Sequence, residues 1–181
     1  MRADLRWLVA FAGNAFFLWL IAQLNHVLTA VPFGSRNISV FVVAIGMPLA
    51  FVSLRLGLGY ALAAGTLTAL AAEAGLPVPH GTFVVPALVV VCVVVGLRGT
   101  FNRFDGTSAL VVSLAANLVV FVAVTARATS TAEEFLAGRL LFDLLVSQAF
   151  VVAINGWFFA WQLALLRTFG FDLETELRDS P

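Results

Sequence analysis

The feature that most limits how this chain can fold is its run of long, almost uninterrupted apolar stretches. Six of them follow one another, separated by short segments rich in Pro, Gly and Arg. An α-helix needs roughly 20 apolar residues to cross a hydrocarbon core of ~30 Å, because each residue advances it by only ~1.5 Å. The six stretches run from about 7 to 30, 38 to 54, 57 to 74, 82 to 97, 107 to 126 and 141 to 166, with the start of the last placed between Gly138 and Leu144. Hydrophobic residues make up 61% of the 181 and charged ones 11%, against about 45–50% and about 25% in soluble domains. One soluble core of this size could not hide that much apolar surface. Low hydrophobicity and high net charge, the marks of disorder, are absent. The strands of an outer-membrane barrel would alternate polar and apolar residues, which these stretches do not do. The expected fold is all-α, a polytopic membrane protein with a bundle of six transmembrane helices over residues 1–168. Residues 169–181 form a short cytoplasmic tail.

The arginines orient this expected bundle. Arg2, Arg6, Arg55, Arg98, Arg103, Arg167 and Arg178 fall on one side, and Arg36, Arg127 and Arg139 on the other. Positive charge marks the cytoplasmic side, so both termini are expected there. The segment carrying Glu133 and Glu134 is then external. Ten Arg balance ten acidic residues, with no Lys, and a neutral total argues against bulk binding of nucleic acid. The single Cys92 has no partner for an intramolecular disulfide.

Polar residues at membrane depth are costly and face protein or water. Here Asn25, His26, Glu73, Asp143 and Gln148 fall toward the outer ends of their spans, Asn117 and Asn155 near mid-depth, and Asn14 and Gln162 toward the cytoplasm. Two readings stay open. The outer ends can line a polar cup that binds a small ligand or a partner's helix. Alternatively, they make interhelical hydrogen bonds of about 0.6 kcal/mol each. Gly57, Ala61, Gly65 and Ala69 recur every four residues, which puts small side chains on one helical face and lets another backbone approach. Catalytic patterns are missing from the sequence: it has no phosphate-binding Gly-rich loop, no zinc-type His spacing and no nucleophile with His and acid partners. The expected protein is not an enzyme and carries no cofactor or metal.

From Arg55 to Gly81 the chain resembles the MreD rod-shape-determining family. Arg55 stands before a glycine-bearing third span, Glu73 takes an acidic position near its end, and Pro79 and Gly81 follow as a Pro-x-Gly turn. The family's acid is usually Asp, and Pro77 is extra. The resemblance implies a scaffold subunit of the bacterial inner membrane, part of the cell-elongation machinery that directs peptidoglycan synthesis. It would associate with an MreC-like protein and other membrane proteins of that complex. Glu73, Pro79, Gly81, Asn25, His26, Asp143 and Gln148 are then candidates for binding a partner or ligand. The architecture also resembles the substrate-binding S components of energy-coupling-factor transporters, which would make the outer polar residues a vitamin pocket.

Overall fold

The computed structural model describes residues 5–30, 40–74, 81–101, 105–129 and 137–171. Pro79, and with it the loop around it, lies outside the described residues, as does the tail from 172 onward. Among those described, the protein is all-helical: α1 (Arg6–Ala30), α2 (Gly46–Arg55), α3 (Leu58–Ala74), α4 (Val84–Gly96), a 3₁₀ turn (Arg98–Thr100), α5 (Gly106–Thr129) and α6 (Ala137–Thr168). Three of them, α1, α5 and α6, are long and apolar enough to cross a membrane, while α3 and α4 are shorter apolar helices. The helices alternate in direction. One end of the bundle therefore carries Arg6, Arg55, Arg98 and Arg167, and the other Asn25, Glu73 and Asp143.

Four of the expected spans match helices to within a few residues. The last helix starts at Ala137, ahead of the expected 141. The second span is a correction. Only Gly46–Arg55 is helical, and Val40–Ala44 is not. Pro48 gives the reason. It lacks an N–H and its ring clashes with the carbonyl four residues back, so it is tolerated in a first turn and not in a helix interior. A helix starting at Gly46 places Pro48 in that first turn. Ten helical residues rise about 15 Å, and five extended residues add up to about 16 Å. The composite can match the thickness of a hydrocarbon core.

This composite element is the centre of the molecule. Every residue of α2 is buried, Arg55 included. Its largest contact is with α5, and α3 and α4 flank it. The aromatic core grips it from the other side: Phe51 meets Phe159 edge-on at 5.3 Å, and Phe158 packs on Phe17 of α1 at 4.6 Å. Such pairs add about 0.5–1.5 kcal/mol beyond the area they bury. On α3, Ala61, Gly65 and Ala69 are buried, and a Cβ on Gly65 would come within 2.9 Å of Val91 Cγ2 on α4. Gly57 does not share this face, because it precedes α3 and is exposed, and a Cβ there would meet the Tyr60 ring only in ordinary contact, at 3.9 Å. We expect Gly65→Leu to lower the thermal midpoint in detergent by the several degrees that about 1–3 kcal/mol of overpacking implies. Gly57→Leu should leave the midpoint unchanged.

Helix α5 begins with a side-chain cap. Asp105 Oδ2 accepts the Ser108 N–H at 2.9 Å. The Ser108 backbone bond is the main force holding this carboxyl below its ordinary value of 3.8. A carboxylate with a depressed folded pKa stabilises fully above its unfolded value, and that contribution is lost as pH falls through the folded one. Asp105→Ala should therefore shorten α5 by fraying at neutral pH. Circular dichroism should show the difference from wild type shrinking once the pH drops below the ordinary carboxylate value.

Candidate functional site

A buried backbone that leaves the helix needs hydrogen-bond partners, because its N–H and C=O groups are cut off from water. The non-helical stretch before α2 obtains them from four side chains on three helices. Asn25 of α1 makes a two-way pair with Val42: its Nδ2 donates to the Val42 carbonyl at 2.9 Å, and the Val42 N–H donates to its Oδ1 at 2.7 Å. Asn117 of α5 does the same one step on. It donates to the Val43 carbonyl at 2.9 Å and accepts the Gly46 N–H at 3.1 Å, so it caps α2 as well. From α6, Ser147 Oγ accepts the Val43 N–H at 2.9 Å and Asp143 Oδ1 accepts the Phe41 N–H at 3.2 Å. Asp143 also has Arg139 one turn back, at 3.9 Å.

Asparagine suits this task because its amide carries both a donor and an acceptor, the same pair that a strand neighbour would offer. Gly46 is needed for a different reason. A Cβ there would lie 2.4 Å from the Asn117 backbone nitrogen and from the Ser113 carbonyl oxygen. Only a glycine lets α2 and α5 come together closely enough for the Asn117 cap to form.

Glu73 forms a second site at the same end. Its Oε2 accepts the Gly81 N–H at 3.0 Å, and its Oε1 accepts the N–H groups of Phe83 and Val84 at 2.7 and 3.3 Å. The side chain at the end of α3 thus binds the turn that opens α4, whose first N–H groups lack helical partners and carry the positive end of the dipole. Gly81 has φ +85°, a left-handed conformation that glycine adopts without strain. We expect Glu73→Gln to weaken this junction. Limited proteolysis of the purified protein should then cut faster between α3 and α4 than in wild type.

The other candidates fall differently. Gln148 Nε2 donates to the Leu114 carbonyl at 3.2 Å and ties α6 to α5. His26 is exposed near the end of α1. Toward the opposite end, Gln162 donates to Asn14 Oδ1 at 2.6 Å and Asn14 donates to Thr68 Oγ1 at 3.1 Å, a chain that links α6, α1 and α3. Among the described residues no three His, Cys, Asp or Glu side chains gather as a metal site. Sequence reading missed Ser147 and the role of Gly46, since neither residue type is unusual in a membrane helix. No family model, curated protein or solved structure matches the chain.

Proposed function

We propose that this chain is a non-enzymatic subunit of the bacterial inner membrane that works by gripping other membrane proteins, as part of a cell-elongation complex with an MreC-like partner. The observation that supports this reading is where the polar side chains go. Asn25, Asn117, Asp143 and Ser147 serve the chain's own backbone, and Glu73 serves its own turn. Side chains already paired within the fold have little valence left for a ligand. A vitamin carrier of the S-component kind needs several converging polar groups with free valence. The surface offers aromatic rings instead. Trp157 stacks on Trp161 at 5.8 Å, Trp161 meets Phe16 at 6.1 Å, and Phe16 meets Trp19 at 5.9 Å. The resulting row crosses α1 and α6, with Phe16, Trp19 and Trp157 more than half exposed. Rigid rings of this kind suit packing against another membrane helix.

In this proposal the composite of Val40–Ala44 and α2 is the second of six crossings, and both termini are cytoplasmic. The experiment is affinity purification of the tagged full-length chain from mild detergent, with mass spectrometry of the co-purifying proteins. An MreC-like protein and a transpeptidase are expected, and Trp157→Ala with Trp161→Ala should reduce their recovery at unchanged yield of the bait. Recovery of a paired ABC-type ATPase, or of a bound vitamin, would overturn the proposal.

A further inference from the structure

The stretch before α2 is not fully satisfied. Val42, Val43 and Gly46 give their N–H groups to side chains. Among the described residues, no hydrogen-bond partner meets the N–H of Ala44 or of Ile45. Both residues are deeply buried, at 2% and 1% exposure. A buried N–H without a partner costs about 1–3 kcal/mol, and nearly all such groups are paired in folded proteins.

Ala44 and Ile45 form part of the wall of a cavity of about 300 Å³. Residues 41–43 of the same stretch, residues of α1 between Ala15 and Asn25, the last turn of α3 and Phe83 supply the rest. That volume reaches the range of small-molecule pockets. None of the described lining residues is charged, and Asn25, the one polar side chain among them, is already paired with Val42. Five alanines of α1 and α3 keep the space open, and Trp19 stands at its edge, 55% exposed. The residues of the wall thus carry two unpaired main-chain N–H groups and the indole N–H of Trp19, with no charge and a large apolar area. An ion would go unneutralised there.

We propose that this cavity is a binding site for an uncharged amphipathic molecule, one with an apolar body and a single acceptor oxygen, a carbonyl or hydroxyl, that takes the N–H groups of Ala44 and Ile45. The site borders the aromatic row through Trp19, and binding to it is measured on the purified protein without partner proteins. It makes the packing of α1 and α3 against the composite element sensitive to a membrane-dissolved compound.

The test uses the full-length protein in detergent and a diazirine-bearing decanol as photoprobe, with labelled peptides mapped by mass spectrometry. Saturable labelling is expected within residues 15–25 of α1 and 71–74 of α3. Unlabelled 2-undecanone should displace the probe roughly tenfold more effectively than n-undecane, the factor that one net hydrogen bond supplies. Ala22→Phe fills the space from α1 and Ala71→Phe fills it from α3. Either variant, if it folds, should abolish that labelling. Labelling spread evenly over exposed helix faces would mean lipid alone occupies the cavity and would overturn the proposal. Equal displacement by the ketone and the alkane would overturn it too, because the two N–H groups would then be met by water. Wild-type displacement decides this second point even if both variants fail to fold.

Discussion

Asn117→Leu should cost the folded protein about 2–4 kcal/mol. The substitution keeps the number and branching of side-chain heavy atoms and removes both halves of the amide, so the Val43 carbonyl and the Gly46 N–H lose their partners together. Each buried backbone group left unpaired costs about 1–3 kcal/mol. Hydrogen bonds between membrane helices average only about 0.6 kcal/mol, because the unfolded chain in a micelle also finds partners. Asn117 should exceed that average since it serves two main-chain groups and caps a buried helix. Unfolding by sodium dodecyl sulfate in mixed micelles, followed by circular dichroism, measures the difference. Asn155→Leu is the control. Asn155 is also buried, but its Oδ1 has no partner, so replacing it should be neutral or stabilising. A cost at Asn117 no larger than at Asn155 would remove the case for the clamp.

Gly46→Ala should be the most damaging single-methyl change in the protein. The atoms a Cβ would strike, at 2.4 Å, belong to the backbone of α5, and backbone cannot swing aside as a side chain can. Overpacking in a close-packed core costs about 1–3 kcal/mol, and more where nothing can yield. Here the two helices must separate, which also lengthens the Gly46–Asn117 bond. The expected result is little or no folded protein on size-exclusion chromatography. Gly156→Ala is its counterpart. No atom lies within 4 Å of its Cβ position, and it sits inside α6. There alanine's better helix propensity should add up to about 1 kcal/mol. Equal behaviour of the two variants would contradict the close approach of α2 and α5.

The contrast between these two glycines shows what the sequence can and cannot convey. Both follow polar or apolar residues in long hydrophobic runs, and both read locally as weak points in a helix. Only the packing partner, 71 residues away, separates them. The long helices α1, α5 and α6 were legible because length and continuous hydrophobicity have one reading at membrane scale. The stretch 38–54 was not. A short apolar run does not distinguish helix from non-helical backbone by its pattern alone, and Pro48 is compatible both with a kink and with a first turn. Asn25 and Asp143 could be recognised as costly residues that must be used. Their use could not be read, because they bind main-chain atoms 17 and 102 residues away, and every residue has those atoms. Glu73 was likewise read as a candidate for binding a partner or ligand, and its use on its own turn was not foreseen. Its target lies 8–11 residues on, and the acid and glycine that carry the family resemblance are the two ends of one hydrogen bond.

Buried polar side chains hold a non-helical backbone here, in place of lining an open ligand cup. Backbone chemical shifts and amide exchange over Val40–Gly46, recorded by NMR on the isotope-labelled protein in detergent, test it most directly. Non-helical shifts through Val40–Ala44 are predicted, with the amides of Val42, Val43 and Gly46 protected and Gly46 losing its protection in Asn117→Leu. Helical shifts running unbroken from Val40 to Arg55, or protection indifferent to Asn117, would contradict the account.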